Sequence, residues 1–476
     1  MFENLKKIHI LGIGGTLMGS FACFLKRQGF YVTGSDQKLY PPMSLQLAQN
    51  NITIYEGFNA ANLTQDHIPP DLVIVGNVIS ANNIEMQAVQ KDYPYTSLPE
   101  ALEKFILFKT RNHIIAGTHG KTTTATLAAL AFSDAKRNPN FFLGGVPQDL
   151  PFSFQIADES PSHPFILEGD EYDTAFWDKV PKFFHYKPTT TILTSVEFDH
   201  ADIYPSIKEI YKVFQHLCQQ TSQYVIAWDK IQDLDLITDH APKRFLYGTD
   251  PKSDFIITNI QFAEKTTFEV HSTHHKPTPL SLNLAGMHNV LNATAVWAQC
   301  FLENLDASSV QASIARFKGV KRRQEFHLQI HDTLLIEDFA HHPTAVKETL
   351  LGLKARFPHH RLICLFEPRS ATSKRAVFQD AFVQAFSPAD AIGIAAPFDQ
   401  SKLPQTERLD GKRLSQEIQQ QMPQKSVFYF EENKVAQDWL KDANIPKTGK
   451  NLILLCSNGA FGGLLEALKK QFQEVL

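Results

Sequence analysis

The sequence predicts an α/β protein of three domains, at residues 1–107, 108–320 and 321–476. Three observations lead there. Two short apolar stretches, Ile8–Leu11 and His113–Ala116, each run into a glycine-rich turn and then into a helical pattern. Strand, glycine turn and helix form the unit from which parallel sheets with ligand crevices are built. A further series of apolar stretches, each ending in polar residues, follows residue 321. The 476 residues also fit three units of roughly 150 each.

In the first unit, Ile8–Leu11 reads as a strand, Gly12-Ile13-Gly14-Gly15 as the turn, and Ser20–Arg27 as a helix closed by Gly29. Tyr31–Asp36 is the next strand, which makes a βαβ unit of Rossmann type. Gly12 and Gly14 allow a tight turn and the close approach of a diphosphate. Asp36 stands where a ribose-binding acid stands in dinucleotide enzymes. The bland alternative is that these glycines only let a helix pack closely. Asp71–Val75 is a strand ending in Gly76-Asn77, so Asn77 is a candidate substrate contact. A short helix from Pro99 leads to a domain break near 107.

The second unit carries Gly117-Thr118-His119-Gly120-Lys121-Thr122-Thr123 between a strand and a helix. This is the context of a phosphate-binding loop, in a shorter form with Ile115 where the full spacing has glycine. Its amides and the helix N-terminus suit an anion, Lys121 reaches the β and γ phosphates, and the Thr122 hydroxyl suits Mg²⁺. Phe141–Pro147 reads as a strand and a glycine turn, and Pro164–Leu167 as a strand that runs into Glu168, Asp170, Glu171 and Asp173. Thr190–Val196 reads as another strand, ending in Glu197-Phe198-Asp199-His200. Glu168 and His200 can hold a divalent ion with substrate phosphates, or one Mg²⁺ on Thr122 is the sole ion. Helical pattern follows at 205–217, and 250–279 reads as antiparallel strands whose His271, His274 and His275 lie at the surface. Gly286 turns into a helix through Trp297, with His288 and Asn289 in the first turn. They are placed to reach a base or phosphate, or Asn289 only caps the helix.

In the third unit, Lys321-Arg322-Arg323 opens a charge run, and strands are expected at 334–338, 361–366, 391–394 and 451–455. Phe339–Thr344 leads into a helix through Leu353, and Leu464–Leu476 forms the last helix. Arg369 is the best carboxylate receptor, because a guanidinium matches a carboxylate bidentately; the alternative is an internal pair with Glu367. Ser370 and Asn458 also lie at strand ends, where Gly459, Gly462 and Gly463 leave room for a peptide backbone.

Composition narrows the function classes. The net charge of -4 asks for neither nucleic acid nor an anionic membrane. Five scattered cysteines with no C-x-x-C pair fit a reducing cytosol. Lys6-Lys7 precede an apolar run that meets Gly12 at once, so it reads as a strand and not as a signal segment. Nothing implies a protein partner.

Taken together, Gly117–Thr124, Glu168–Asp173, Glu197–His200, Gly286–Asn292, Arg323 and Asp338–Thr344 resemble the Mur ligases. These are ATP-dependent enzymes that build the peptide of bacterial cell wall on UDP-N-acetylmuramate. The resemblance covers essentially the whole chain. It implies a Rossmann-like domain for the UDP substrate, a central P-loop ATPase with a parallel-rich sheet, and a mobile Rossmann-like C-terminal domain. By that resemblance Lys121 holds the transferred phosphate, and Glu168 and His200 carry magnesium. Gly117, Thr118, His119, Gly120, Thr122, Thr123, His288, Asn289, Arg323 and Asp338 contact ATP, and His341 lies beside it. The family's carbamoylated lysine falls at Gln215, which matches the branch that uses UDP-N-acetylmuramate itself.

Within that branch one enzyme adds L-alanine and another the recycled tripeptide L-alanyl-γ-D-glutamyl-meso-diaminopimelate. Gly14-Gly15-Thr16-Leu17-Met18-Gly19, Tyr40–Met43, Gly76-Asn77, Glu367–Ser370 and Ser457–Gly463 resemble the tripeptide-adding pattern, with Ala460 in place of an expected glycine. Gly14, Gly15, Thr16 and Met18 are thereby implied as substrate contacts. The expected reaction is attack of the muramate carboxylate on ATP, then attack of the peptide amine on the acyl phosphate. His200 or His341 is the candidate base. Two other readings compete: an NAD-dependent oxidoreductase, which leaves Lys121 unexplained, and a nucleotide-gated binding module.

Overall fold

The computed structural model describes residues 5–39, 43–157, 160–272, 275–330, 332–441 and 449–473. Tyr40–Pro42, His274, the end of the last helix and the side chains of Thr16 and His275 lie outside the described residues.

The first sheet holds β1 (Lys7–Leu11), β2 (Tyr31–Asp36), β3 (Thr53–Glu56), β4 (Leu72–Val75) and β5 (Tyr95–Ser97), all parallel in the order β3-β2-β1-β4-β5. β1 is buried at every position, as a strand covered on both faces requires. The following helix spans Thr16–Arg27 and starts earlier than the pattern suggests. Gly19 is not a turn residue. It lies inside the helix, where a Cβ would stand 2.2 Å from Met43 Sδ.

The second sheet holds β6 (Arg111–Ala116), β7 (Asn140–Phe142), β8 (Phe154–Gln155), β9 (Pro164–Gly169) and β10 (Thr190–Leu193). It continues with β11 (Tyr224–Trp228), β12 (Arg244–Gly248), β13 (Phe255–Phe262), β14 (Thr266–Ser272) and β15 (His275–Leu282). The order is β15-β14-β13-β12-β11-β10-β6-β9-β7-β8, parallel from β13 to β7 and antiparallel at both ends. β10 stops short of the expected Val196. Thr194 and Ser195 leave the ladder to bind the neighbouring glycine loop: Thr118 N donates to Ser195 O at 2.9 Å and His119 N to Ser195 Oγ at 2.9 Å. β11 and β12 extend the sheet where the sequence pattern suggested nothing. His271 is partly buried and meets Thr258 Oγ1 at 2.7 Å, so it is tied into its hairpin more than a surface residue would be.

The third sheet holds β16 (Glu325–Ile330), β17 (Thr333–Asp338), β18 (His360–Phe366), β19 (Ala391–Ala395), β20 (Ser426–Phe430) and β21 (Lys450–Cys456). Its order is β16-β17-β21-β18-β19-β20, parallel except for the β16 edge.

One apolar cluster runs from Ile10, Phe21 and Leu102 to Ile114, Leu167 and Phe214, so the first two sheets share a core. The third sheet has cores of its own, into which Ala285 and Phe198 reach from the second. It meets the central domain through smaller contacts: Arg356 to the Asn283 carbonyl, Thr344 to Glu197, Thr372 to Asp199, and the Phe198–Phe378 ring pair at 6.1 Å. Contacts of that kind permit relative motion. No helix among the described residues is long and apolar enough to cross a membrane.

Candidate active site

β6 has β10 on one side and β9 on the other. That is a switch point, where the loops leaving the carboxyl ends part and open a crevice. The loop after β6 can take its path only with glycine at two positions. Gly117 has φ +132, and a Cβ there would stand 2.4 Å from Thr194 Oγ1; Gly120 has φ +83, with Asn292 Oδ1 2.5 Å from its missing Cβ. The helix Lys121–Asp134 starts with no side-chain cap, which leaves its first amides for an anion.

Acids from β9 and the turn after it meet this loop. Thr122 Oγ1 donates to Glu168 Oε1 at 2.8 Å, and Gly144 N donates to Glu168 Oε2 at 2.8 Å. Lys121 Nζ donates to the Gly117 carbonyl at 2.7 Å and to Glu171 Oε1 at 3.0 Å. His200 Nε2 meets the same Glu171 oxygen at 2.8 Å. Burial alone would lower the Lys121 pKa, but Glu171, Asp170 and Glu168 outweigh it and hold the amine charged. Burial likewise opposes the His200 imidazolium, and the bond to Glu171 reverses the sign. His200 has φ +53, and its amide is held by Asp199 Oδ1 at 2.7 Å. Glu171 is thus the bridge between Lys121 and His200. In the sequence it was one acid among four, and only the apposition of β9 and β10 across β6 singles it out. Gln215 donates to the Leu236 carbonyl at 3.2 Å and brings no carboxylate.

Lys121, Thr122, Glu168 and His200 line a cavity of about 880 Å³ between the domains, with Glu171 buried behind them. On one wall lie His288, Asn289 and Asn292 with Trp228, Leu284, Met287 and Leu291. The apolar members form a surface suited to a flat base. Trp228 was missed because β11 itself was missed. Asn289 is not the helix cap: that position is Gly286, and Asn289 Nδ2 donates back to the Ala285 carbonyl at 2.8 Å.

The C-terminal domain supplies the facing wall. Arg323 stacks over Phe339, 4.6 Å from its ring centre. Asp338 accepts from Gln324 N at 2.8 Å and from Ala340 N at 2.7 Å, which shapes the loop. His341 Nδ1 donates to the Phe339 carbonyl at 2.9 Å, and burial pushes its pKa down to about 4, so it is neutral. Ser370 and Asn458 reach the cavity wall. Arg369 does not. Its guanidinium lies 3.6 Å over the Phe398 ring and 3.7 Å from Glu367 Oε1, beside Gly459. The internal pair weighed as the alternative is therefore present.

The N-terminal candidates form a separate group at the carboxyl ends of β1, β2 and β4. Gly12 has φ +87. Asp36 Oδ2 accepts from Gly14 N at 2.7 Å, so this carboxylate braces the turn. Met18 is buried behind Gly15 and Gly76, and Asn77 is exposed. Among the described residues of this domain, only Leu17 lines the central cavity.

A phosphate loop at a switch point, between a glycine-turn domain and a third domain that covers it, defines a multidomain nucleotide-binding protein. Comparison with known families narrows that class. Residues 7–110 match the Mur ligase family catalytic domain, 115–300 the Mur ligase middle domain, and 322–459 the Mur ligase glutamate ligase domain. The chain belongs to the Mur ligase family of ATP-dependent, ADP-forming ligases. The UDP-N-acetylmuramate--L-alanyl-gamma-D-glutamyl-meso-2,6-diaminoheptandioate ligase of Haemophilus influenzae is 33% identical over 97% of this chain and 98% of its own. The Escherichia coli ligase of the same name is 35% identical over 82% of this chain and 85% of its own. The crystal structure of a murein peptide ligase from Psychrobacter arcticus superposes with a TM-score of 0.68, at 31% identity over 99% of both chains.

Proposed function

We propose that this protein joins the lactyl carboxylate of UDP-N-acetylmuramate to the amine of L-alanyl-γ-D-glutamyl-meso-diaminopimelate, at the expense of ATP, in peptidoglycan recycling. The observation that carries this reading is the near full-length similarity to ligases named for that reaction. It rests on a site whose Lys121, Glu171 and His200 stand together under the C-terminal domain.

The loop amides at the start of the Lys121 helix would hold the triphosphate, and Trp228, Leu284 and Leu291 would take its base. The muramate carboxylate attacks the γ-phosphorus in line, the bond to the β,γ-bridging oxygen breaks, and ADP leaves. Charge grows on the phosphoryl oxygens, and Lys121, already charged and aimed by Gly117 and Glu171, stabilises it where it develops. The oxygens of Thr122 and Glu168 fit Mg²⁺, a hard cation that takes oxygen ligands. When bound there, it would neutralise charge on the β and γ phosphates. The acyl phosphate formed is then attacked by the peptide amine, and phosphate leaves. His341, neutral with Nε2 unprotonated, has the right state to receive the amine proton from the C-terminal side. His200 is engaged by Glu171 and holds a proton there, which makes it the weaker candidate base. Closure of the third domain keeps water from the acyl phosphate.

The UDP group belongs to the crevice of Gly14, Gly15 and Asn77, and the peptide to the side of Ser370 and Asn458. Arg369 meets the distal carboxylate by turning donors that the 3.7 Å pair with Glu367 leaves available. A side-by-side assay with ATP, Mg²⁺, UDP-N-acetylmuramate and either the tripeptide or L-alanine, with the adduct read by mass, tests this. Clear preference for the tripeptide is expected. Preference for L-alanine would make this a UDP-N-acetylmuramate--L-alanine ligase.

A further inference from the structure

His119, Glu197 and His342 come from three separate elements: the phosphate loop, the turn after β10, and the N-cap of the C-terminal helix Pro343–Arg356. One donor atom of each lies within 4.8 Å of the other two. His119 Nε2 is buried with no hydrogen-bond partner, and it faces Glu197 Oε2 at 3.6 Å. His342 Nε2 donates to the Phe198 carbonyl at 3.2 Å, which leaves the lone pair on Nδ1. That Nδ1 lies 4.0 Å from Glu197 Oε2, and its other contact is a long bond from Thr344 N at 3.3 Å. Glu197 Oε2 also accepts from Thr344 Oγ1 at 2.6 Å. The two rings lie 4.7 Å apart.

We propose that His119, Glu197 and His342 form a site for a zinc-class divalent ion, distinct from the oxygen-lined Thr122–Glu168 site, which clasps the C-terminal domain to the central one. Two imidazoles and a carboxylate are a zinc donor set, whereas Mg²⁺ prefers oxygens. Tetrahedral bonds of about 2.1 Å put donor atoms about 3.4 Å apart. The observed 3.6 and 4.0 Å to Glu197, with the two imidazole nitrogens within 4.8 Å of each other, place the three donors so that the side chains draw together on binding an ion. The carbonyl behind His342 fixes its tautomer and ring plane, as partners of metal-bound histidines do. One carboxylate leaves such an ion with residual positive charge, and its fourth position faces the cleft, where a phosphate oxygen can complete it. Because the ligands span both domains, the ion favours the closed form and slows its reopening.

The site is tested on metal-stripped, full-length protein without nucleotide, by titrating Co²⁺ and following its visible absorption. One equivalent should bind, yield to Zn²⁺, and resist excess Mg²⁺. Glu197→Gln and His342→Gln should each weaken binding at least tenfold, while Glu168→Gln leaves it unchanged. Zn²⁺ should also contract the parent protein in small-angle scattering, but not the His342→Gln variant. The proposal is overturned if no equivalent binds, if His342→Gln binds like the parent, or if Glu168→Gln abolishes binding. Should a variant misfold, the anomalous peak of a Zn²⁺-soaked parent crystal decides. A peak among the three side chains supports the site, and a peak only elsewhere rejects it. None of these readouts depends on the ligase substrates, so failure of the proposed reaction would leave this test intact.

Discussion

Gly352 offers a direct test of whether the C-terminal domain must close for reaction. It lies buried in the helix Pro343–Arg356, against the turn that starts the helix Met287–Leu302. A Cβ on Gly352 would stand 2.6 Å from Gly286 Cα and 2.8 Å from Gly286 N. Carbon atoms pack at about 3.5–4.0 Å, so the overlap is about 1 Å. It falls on backbone, since Gly286 has φ +97 and no side chain to swing aside. Overpacking of this kind costs about 1–3 kcal/mol. That cost arises only when the domains meet. Within the helix itself, alanine is better than glycine by about 1 kcal/mol. Gly352→Ala should therefore leave the fold intact or slightly stabilised, while the closed form falls about 5- to 150-fold relative to the open one. The assay is phosphate release at varied peptide concentration, paired with a thermal melt and small-angle scattering under saturating nucleotide. Lower kcat/KM, an unchanged or raised Tm and a more open envelope are expected. Wild-type kcat/KM with wild-type scattering would refute the claim that this glycine contact is made in the reactive state.

Four further outcomes are expected. Lys121→Ala removes the charge that faces the phosphates and leaves Glu171 beside Asp170 and Glu168, so phosphate release should drop at least about 10²–10³-fold with the fold retained; turnover near the parent's would overturn the role given to Lys121. Glu168→Gln should raise the Mg²⁺ concentration for half-maximal rate, whereas His200, which Glu171 holds protonated, should leave it nearly unchanged when replaced by alanine; a Glu168→Gln titration that overlays the parent's would place the ion elsewhere. Arg369→Ala should raise the KM for the tripeptide and leave that for ATP nearly unchanged; an unchanged peptide KM would mean the guanidinium only packs on Phe398 and Glu367. His113 is fully buried on β6, and burial pushes its pKa down from 6.5 to about 4. The unfolded chain takes up a proton near pH 6.5 and the folded one only near 4, so stability falls as pH drops through that window and is unaffected above it. The loss reaches about 3 kcal/mol at the acid end. His113→Asn should flatten the dependence of Tm on pH between those limits, and an identical slope would exclude His113 as its source.

The residues that could be placed from sequence are those whose geometry is set within a few positions of chain. Gly117 and Gly120 had to be glycines for a loop that turns at once from strand to helix, and that loop sets Lys121 and Thr122 at a helix start. Glu168 and His200 could be placed near the crevice because one stands at the end of an apolar strand and the other soon after a β-branched one, and in parallel sheets the carboxyl ends carry the ligand sites. The same local signals separated three α/β units. What could not be read depends on strand order and on contacts between distant stretches. Nothing local says that β9 and β10 flank β6, yet that order makes Glu171 the bridge from Lys121 to His200. The sequence left Arg369 open between a carboxylate receptor and a partner of Glu367, and only the packing of Phe398 and Gly459 turns it out of the cavity wall. Trp228, the Gly286–Gly352 contact and the approach of His342 to His119 were equally invisible. Backbone conformation is decided by neighbouring residues, and so it was written in the sequence. Which side chains share a low-dielectric crevice is decided by how whole elements pack, and only the tertiary structure determines that.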